Sequence, residues 1–284
     1  MKNIVITGVA SGIGYGTLQE FIRQGYRVFG SVRNKEDAER LAREFGNNFI
    51  PLLCDITDHK TVYEAAATVR SILKNEGLDG LINNAGAAEG GPLMHMPIDV
   101  FQKHLDVLVT GHLATCQAFL PLLGAQDQYP YKPGRIINIS SIAGKSGSPF
   151  IGAYVAAKHA LEGFSKTLQI ELQPYGIDLI VISPGLVQTK IWDKIQDETF
   201  EKYKGTIYYE PFKNFANFFK KAMPHEGIAL QDFSVRVRKI FETDKPKLNY
   251  LLVRNKFKNW TIPETLPRRT VNKMTAKMFG LNVK

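Results

Sequence analysis

Three side chains suited to proton transfer share one segment. Tyr154 and Lys158 lie four positions apart in a run of small residues, and Ser141 ends a strand-like stretch thirteen residues before Tyr154. On a helix, positions i and i+4 lie about 5–6 Å apart between Cβ atoms, so the ammonium lies beside the phenol. Its charge favours phenolate and brings a pKa near ~10 toward working pH. With Ser141 holding the substrate oxygen, the trio predicts acid–base chemistry at a carbonyl or alcohol; the alternative is an ordinary exposed helix pair.

The start of the chain has the pattern of a phosphate-binding turn. An apolar strand over residues 2–7 passes directly into a glycine-rich turn and then into a helical pattern. Glycines let the backbone approach a pyrophosphate, and the free amides of a helix N-terminus hold the anion. The spacing is Gly-x-x-x-Gly-x-Gly, which differs from the usual dinucleotide fingerprint, so a simple tight turn is the alternative. The predicted cofactor residues here are Gly8, Ser11, Gly12, Ile13 and Gly14.

Five separated motifs follow the order and spacing of one known family. They are residues 7–14, Asn83-Asn84-Ala85-Gly86, Ser141, Tyr154 with Lys158, and Pro184-Gly185. The chain resembles the short-chain dehydrogenase/reductase family over residues 2 to about 190. Residues 183–192 are similar to the branch that includes hydroxysteroid and retinol dehydrogenases.

The resemblance implies a reaction and a role for each site residue. Hydride passes between a nicotinamide and a substrate carbon, with Tyr154 as general acid in reduction and general base in oxidation. Lys158 lowers the pKa of that tyrosine and binds the nicotinamide ribose, and Ser141 orients the substrate oxygen. The cofactor is further lined by Asp55 at the adenine, Asn83, Asn84, Ala85 and Gly86, Pro184 and Gly185, and Val187 and Thr189 at the carboxamide. For Asp55 a helix-capping role is the alternative.

One family residue is missing. Residues 106–112 align with a stretch that usually contains a catalytic asparagine, and Leu108 stands in its place. In the family, that asparagine helps to keep a helix distortion and a proton-relay water. His112 or Thr110 could compensate, or both could be ordinary helix residues.

The end of the second predicted strand indicates the preferred cofactor. A carboxylate there would accept the ribose 2′-hydroxyl of NAD and repel the extra phosphate of NADP. Val32 occupies this position and is followed by Arg33, whose planar cation suits a 2′-phosphate. We predict NADP rather than NAD, with a solvated strand-end arginine as the alternative.

Apolar strands alternate with amphipathic helices along the chain, which predicts an α/β fold: a doubly wound parallel sheet of the Rossmann type with helices on both faces. Strands are predicted near 2–7, 26–32, 49–54, 79–83, 134–140, 177–183 and 248–253. Helices are predicted near 12–24, 35–45, 58–76, 97–122, 152–174 and 226–242. No linker divides the chain, so residues 1–284 are expected to form one domain with a substrate lid at about 190–225 and a C-terminal extension at about 254–284.

The predicted lid is rich in aromatic residues, which favours a bulky apolar substrate. The alternative is that these rings pack the lid onto the body. They are Trp192, Phe200, Tyr203, Tyr208, Tyr209, Phe212, Phe215, Phe218 and Phe219.

Composition indicates a soluble protein with reduced thiols. The chain is 44% hydrophobic and 22% charged, and we expect no membrane-spanning run. Cys54 and Cys116 have no metal-binding or Cys-x-x-Cys spacing, which favours buried thiols and a cytoplasmic location. No paired histidine spacing suggests a metal site.

Basic residues are concentrated in the C-terminal extension, where eight Lys or Arg face the single acid Glu264. A partial apolar stripe there, with Lys273 and Lys277 beside it, is compatible with a weak membrane-surface contact or a subunit contact. A solvated helix face is the alternative, and no motif suggests nucleic-acid binding. The stripe consists of Val271, Met274, Met278 and Leu281.

The sequence therefore predicts an NADP-dependent oxidoreductase acting on a secondary alcohol or ketone, expected to form a homodimer or homotetramer. A rival from another class is a dinucleotide-binding regulator or scaffold that has lost turnover, which Leu108 alone favours. A sugar epimerase or dehydratase fits less well, because those relatives space their glycines differently.

Overall fold

A computed structural model describes residues 1–74, 76–87, 89–189 and 197–282. Seven parallel strands form one sheet in the order β3-β2-β1-β4-β5-β6-β7. They are Asn3–Ile6 (β1), Arg27–Val32 (β2), Phe49–Leu53 (β3), Gly80–Asn83 (β4), Arg135–Ile139 (β5), Asp178–Pro184 (β6) and Asn249–Leu252 (β7). This confirms the predicted α/β doubly wound fold and places every predicted strand.

Helices cover both faces of the sheet. They are Gly12–Arg23 (α1), Lys35–Phe45 (α2), His59–Leu73 (α3), Ile98–Leu105 (α4), Gly111–Leu123 (α5), Gly152–Glu171 (α6), Asp197–Glu201 (α7), Tyr209–Glu226 (α8), Leu230–Glu242 (α9), Ile262–Thr265 (α10) and Arg268–Phe279 (α11). The helix predicted near 226–242 begins only at Leu230, and the residues up to Glu226 belong to α8. Sequence periodicity missed α8 because its apolar positions are mostly aromatic and its interior contains Pro224.

Apolar clusters fill the space between the sheet and each helical layer. Alternate residues of the central strands supply the two faces, so Ile4 and Ile6 pack on one side and Val5 on the other. Both faces are therefore covered, as a parallel sheet requires. Strand order reverses between β1 and β4, which opens a crevice at the carboxyl ends of these strands, where ligands of such sheets bind.

Helices α4 and α5 are joined by a π-helical turn at Asp106–Thr110. The combined segment Ile98–Leu123 is long and apolar enough to cross a membrane by length and composition, contrary to the expected absence of such a run. Its packing gives the physical reason for that composition, because α5 contacts α3 and α4 contacts α6 in the body of the protein.

The apolar stripe predicted in the C-terminal extension is divided by the fold. Val271 and Leu281 are partly buried, and Phe279 lies in the core beside α8. Met274 and Met278 stay on the outer face, 56% and 58% exposed. The membrane-surface contact stays a prediction, and among the stripe residues it now concerns Met274 and Met278.

Candidate active site

The glycine loop, residues 8–14, is packed so closely that Gly8 and Gly14 have no room for a side chain. Gly8 and Gly12 have φ values of 70° and 59°, in the region that favours glycine. A Cβ added to Gly14 would lie 2.1 Å from the carbonyl oxygen of Gly8. Ser11 precedes α1 without a side-chain capping bond, which leaves the first-turn amides available to an anion. Ile13 packs its side chain against the core below.

Segment 83–86 is fastened to this loop by hydrogen bonds. The Asn84 side-chain amide donates to the carbonyl oxygens of Thr7 and Gly8 at 3.0 and 3.1 Å. The Thr7 hydroxyl in turn accepts from the backbone amides of Asn84 and Ala85 at 2.9 and 3.0 Å. Strand ends β1 and β4 are thereby held together at the point where the strand order reverses.

Two predicted cofactor residues have other partners. The Asn83 side chain lies in the interior, donates to Asn138 at 3.0 Å and accepts from Thr115 at 2.7 Å. It therefore secures β4 to β5 and α5 rather than facing the crevice. Asp55 accepts from the amide and the hydroxyl of Thr57 through Oδ1, while Asp58 caps α3. The capping alternative for Asp55 is wrong, because its bonds form a turn before the helix begins.

The end of β2 presents cations and no acid. Val32 is buried, Arg33 is exposed, and the Ser31 hydroxyl two positions earlier accepts from the amide of Gly8 at 2.9 Å. Arg40 donates to the carbonyl of Ala10 at 3.0 Å and also pairs with Asp37, whose carboxyl pKa its hydrogen bond lowers. Sequence reasoning missed Arg40, although its position on the first turns of α2 after a glycine loop was a usable signal.

The segment after β6 crosses back over the glycine loop. β6 ends at Pro184, and Gly185 donates its amide to Leu252 at 2.9 Å. The methyl group of Thr189 lies 3.8 Å from the position of a Cβ on Gly12, and Val187 is buried in the core beneath. Residues predicted to hold the pyrophosphate and the nicotinamide carboxamide thus meet at one edge of the sheet. Lys190 and Trp192 lie outside the described residues.

Ser141, Tyr154 and Lys158 come together at the ends of β5 and α6. Ser141 lies near the Tyr154 phenol, and its oxygen accepts from the amide of Ala143 at 3.1 Å. The Lys158 ammonium lies 5.7 Å from the centre of the Tyr154 ring and donates to the Ile139 carbonyl at 2.7 Å. The predicted i, i+4 arrangement places the three groups as acid–base chemistry requires.

The pKa of Tyr154 moves opposite to the direction predicted from the charge of Lys158. Burial raises the pKa of Tyr154, and the hydrogen bond from Ser141 lowers it by less. Burial also lowers the pKa of Lys158 to about 7, opposed by nearby Glu162. The lysine therefore loses its charge before the tyrosine titrates, and only its protonated form can favour phenolate.

A buried carboxylate lies below the lysine and escaped sequence analysis. Glu162 accepts from Lys145 Nζ and from the Ser183 hydroxyl, both at 2.7 Å. It occupies position i+4 from Lys158, so Tyr154, Lys158 and Glu162 form one polar row on α6. That three-membered spacing was the signal available in the sequence.

Leu108 keeps the helix distortion that the missing asparagine was expected to support. It lies inside the π-helical turn, where Gly111 donates its amide to the Asp106 carbonyl. Leu108 is fully buried, and its Cδ2 lies 3.6 Å from the position of a Cβ on Gly86. Thr110 is exposed and its hydroxyl bonds to Asp106, so it does not replace the amide.

Many of the aromatic side chains of the lid pack against each other. We call the buried group formed by Phe150, Phe200, Tyr203, Phe212, Phe215, Ala216 and Phe279 the lid cluster. Phe212 stacks on Phe150 with ring centres 5.1 Å apart. The packing alternative therefore holds for these lid residues. Tyr208 packs against the lid cluster as well, and its hydroxyl lies 3.5 Å from the sulfur of Met94.

The crevice fits a dinucleotide. Gly8 and Gly14 let the loop pack closely on segment 83–86, the first turn of α1 is uncapped, and a cation stands at the end of β2. These three features match the pyrophosphate and adenosine halves of such a cofactor.

Comparisons with known proteins agree with this geometry. The short chain dehydrogenase family model matches residues 2–199. The chain is 35% identical over 281 residues to an NADPH-dependent 3-dehydrocapnine reductase of Ornithobacterium rhinotracheale, covering 98% of this chain and 97% of that protein. It is 30% identical over 258 residues to a 3-amino-tetrahydro-pyrrolizinone reductase of Xenorhabdus hominickii, covering 88% and 86%.

Among solved structures, a short-chain dehydrogenase from Burkholderia cenocepacia in complex with NADP superimposes with a TM-score of 0.73 at 21% identity, covering 97% of this chain and 99% of that one. The fold match spans the glycine loop, the catalytic helix and the C-terminal extension alike. The family match over residues 2–199 and the 35% identity to the Ornithobacterium reductase establish that the chain belongs to the short-chain dehydrogenase/reductase family and is an NAD(P)-dependent oxidoreductase.

Proposed function

We propose that this enzyme is an NADPH-dependent reductase that converts a ketone with a bulky apolar group into a secondary alcohol. The observation that carries the proposal is the position of Lys158, whose ammonium lies 5.7 Å from the centre of the Tyr154 ring, with Ser141 near the same phenol. When bound, the reduced nicotinamide supplies the hydride to the carbonyl carbon. The protein must then hold the carbonyl oxygen and give it a proton.

Each of the three residues has one task in that step. The Ser141 hydroxyl donates to the carbonyl oxygen and keeps it beside the phenol. Tyr154 enters protonated, since burial raises its pKa, and gives its proton to the oxygen as negative charge develops there. Lys158 then restores that proton, a task suited to a group whose pKa burial lowers to about 7.

Preference for NADPH is supported by charge at the end of β2. Val32 leaves no carboxylate to repel a 2′-phosphate, and Arg33 is exposed beside the loop that Arg40 ties down. The relative from Ornithobacterium is named as NADPH-dependent, and the Burkholderia structure holds NADP.

Exposed apolar side chains at Leu93, Met94 and Ile207 form a rim. This rim is better evidence for a bulky apolar substrate than the buried lid cluster is. Leu93 and Met94 are 58% and 77% exposed, and Ile207 is 69% exposed beside Tyr208. Leu93 also packs against Gly152, two residues before the catalytic tyrosine. An apolar group leaving the catalytic site toward this rim would cover these side chains.

Two measurements test the proposal. First, NADPH oxidation is followed with a panel of ketones that includes 3-dehydrocapnine, using Tyr154→Phe as the blank; turnover lost in the variant is expected. Second, melting is measured with NADPH and NADH, because a ligand at a hundred times its Kd stabilises by about 2.7 kcal/mol. The shift should be larger with NADPH, and Arg33→Ala should shrink the difference while the exposed control Arg43→Ala leaves it unchanged.

The same measurements distinguish a reductase from the rival function, a dinucleotide-binding regulator without turnover. A cofactor-binding regulator would show the melting shift but oxidise no NADPH with any ketone. Equal shifts with NADPH and NADH would contradict the cofactor preference without touching the reaction. The hydroxysteroid or retinol branch, the homo-oligomer and the cytoplasmic location remain predictions.

A further inference from the structure

One face of helix α11 packs on the lid. The Phe279 ring lies against Phe215 and Phe218, with ring centres 5.2 and 5.7 Å apart. Its backbone carbonyl also accepts from the side-chain amide of Asn214 at 3.4 Å. Val271, two turns earlier on the same side of the helix, is partly buried. These contacts fix α11 in place and leave its opposite face open to solvent.

The open face of α11 combines lysines with apolar side chains. Lys273 and Lys277 form one i, i+4 row, and Met274 and Met278 form the row beside it. All four side chains are exposed, the two methionines by 56% and 58%. No ion pair among the described residues involves either lysine. We call these four residues the outer face of α11.

The charge around the outer face is strongly positive. Residues 254–284 carry a net charge of +7, most of the +9 of the whole chain. Arg269 is exposed four residues before Lys273 and extends the lysine row by one turn. A cationic helix face that also exposes apolar side chains suits the surface of an anionic bilayer, where the apolar groups enter the acyl boundary and the ammonium groups stay among the phosphates.

A second copy of the chain fits the outer face less well. In a two-fold contact the same patch meets itself, so the lysine rows of the two copies would lie together and repel. A nucleic acid would neutralise the lysines but leave the methionines without an apolar partner. An anionic lipid surface matches both the charge and the apolar area.

Helix α11 connects the catalytic segment with the lid. At its first residue, Nη2 of Arg268 lies 3.0 Å from the position of a Cβ on Gly147. Gly147 belongs to the segment between Ser141 and Tyr154. At the other end of the helix, Phe279 packs on α8 of the lid. A surface that binds α11 therefore lies beside the elements that carry and cover the catalytic groups.

We propose that the outer face of α11 docks the enzyme on the headgroup surface of an anionic bilayer, with the two methionines inserted at the acyl boundary. Docking does not depend on the proposed function. Its catalytic benefit does rest on that function, because a ketone with a bulky apolar group would then pass from the bilayer to the catalytic site.

Cosedimentation of the full chain with lipid vesicles, without cofactor or ketone, tests the docking. We expect salt-sensitive binding to vesicles of phosphatidylglycerol mixed with phosphatidylcholine, and little binding to phosphatidylcholine alone. Lys273→Gln/Lys277→Gln should weaken binding about thirtyfold, since each lysine near such a surface contributes about fivefold. The matched control Arg43→Gln/Lys60→Gln removes two helical cations, 75% and 83% exposed, and should bind like the wild type.

The methionines distinguish insertion from attraction by charge alone. Met274→Gln/Met278→Gln keeps the side-chain length and both lysines, and should weaken vesicle binding about tenfold because less apolar area leaves water. Unchanged binding in this variant, an equal loss in the Arg43 and Lys60 control, or no binding by the wild type would overturn the proposal. A wild-type dimer that becomes monomeric in the methionine variant would also overturn it, since the face would then join two copies.

Kinetics separate docking from the proposed function. With a long-chain ketone carried in anionic vesicles, the methionine variant should show a KM raised about tenfold at unchanged kcat, matching its loss of vesicle binding. Its reduction of a water-soluble ketone should equal that of the wild type. An unchanged KM in vesicles would overturn the catalytic benefit of docking. Vesicle binding without reduction of any ketone would contradict the proposed function and leave docking in place.

Discussion

The glycine loop and the lid differ in which atoms pack together. The loop is backbone packed on backbone: a Cβ on Gly14 would meet the Gly8 carbonyl at 2.1 Å. The lid is side chain packed on side chain, with Phe212 in contact with the rings of Phe150, Phe200 and Tyr203. The loop has no room for a side chain at Gly8 or Gly14, whereas the lid is held together by its buried rings.

This difference indicates which region can change substrate specificity. The pyrophosphate and ribose belong to the cofactor and stay the same whichever substrate is used. A rigid loop that excludes side chains therefore suits them. A lid held by its own aromatic cluster can keep its fold while its exposed residues, such as Ile207 and Phe218, vary. The catalytic row on α6 stands between the two regions.

The largest expected effect is at that row. Tyr154→Phe removes the transferable proton and little packing, so kcat should fall by about 10²–10⁴-fold. NADPH should still raise the melting temperature as it does in the wild type, because the glycine loop is untouched. A variant that keeps more than about a tenth of the wild-type rate would show that another group donates the proton.

Next comes the lid. Phe212→Ala removes a fully buried ring, and such truncations cost about 3–5 kcal/mol. We expect the loss to be confined to the lid cluster, raising KM for the ketone and hydrogen exchange in residues 197–226. Lys221→Ala, exposed on the same helix, is the control and should change neither. Faster exchange in the glycine loop as well would break the contrast between the two regions.

A smaller effect is expected in the loop. Gly14→Ala forces a backbone shift, and overpacking of this kind costs about 1–3 kcal/mol. The stabilisation by NADPH should be lost while exchange in the lid stays as in the wild type. Gly163→Ala is the control, because nothing lies within 4 Å of its added Cβ and alanine suits the helix. An NADPH-induced melting shift that survives in Gly14→Ala would sink this assignment.

Lys158 makes the free energy of unfolding depend on pH. Its pKa in the folded protein is about 7 because of burial, and about 10.4 in the unfolded chain. Between these values the unfolded chain binds more protons, so this residue makes the unfolding free energy rise with pH, by at most about 1.4 kcal/mol per pH unit. Urea unfolding from pH 7 to 9.5 should show a flatter dependence for Lys158→Met than for wild type, and parallel curves would contradict the lowered pKa.

The smallest effect on turnover is expected at Leu108. The π-helical turn already exists with leucine, and the side chain packs beside Gly86. Leu108→Asn should therefore lower the melting temperature, since an unpaired buried amide costs about 1–3 kcal/mol, and should leave kcat within about twofold of wild type. A clear rise in kcat would show that catalysis benefits from an amide at position 108.

Local sequence was enough for the strands, the glycine turn and the catalytic trio. Each depends on short-range rules: alternating apolar runs, glycine where φ is positive, and i, i+4 spacing on a helix. Residues whose role depends on distant partners were not found in this way. Arg40 is fixed by the carbonyl of Ala10, and Glu162 by Lys145 and Ser183.

By itself, the sequence determined the family, the order of the strands and the spacing that brings Ser141, Tyr154 and Lys158 together, because these follow from chain-local patterns. Tertiary structure alone decided that Asn83 faces the interior, that much of the lid's aromatic content is consumed in packing, and that burial moves the pKa values of Tyr154 and Lys158 away from the expected direction of mutual influence. The physical reason is that burial and pairing are properties of surroundings assembled from distant parts of the chain, which no local pattern contains.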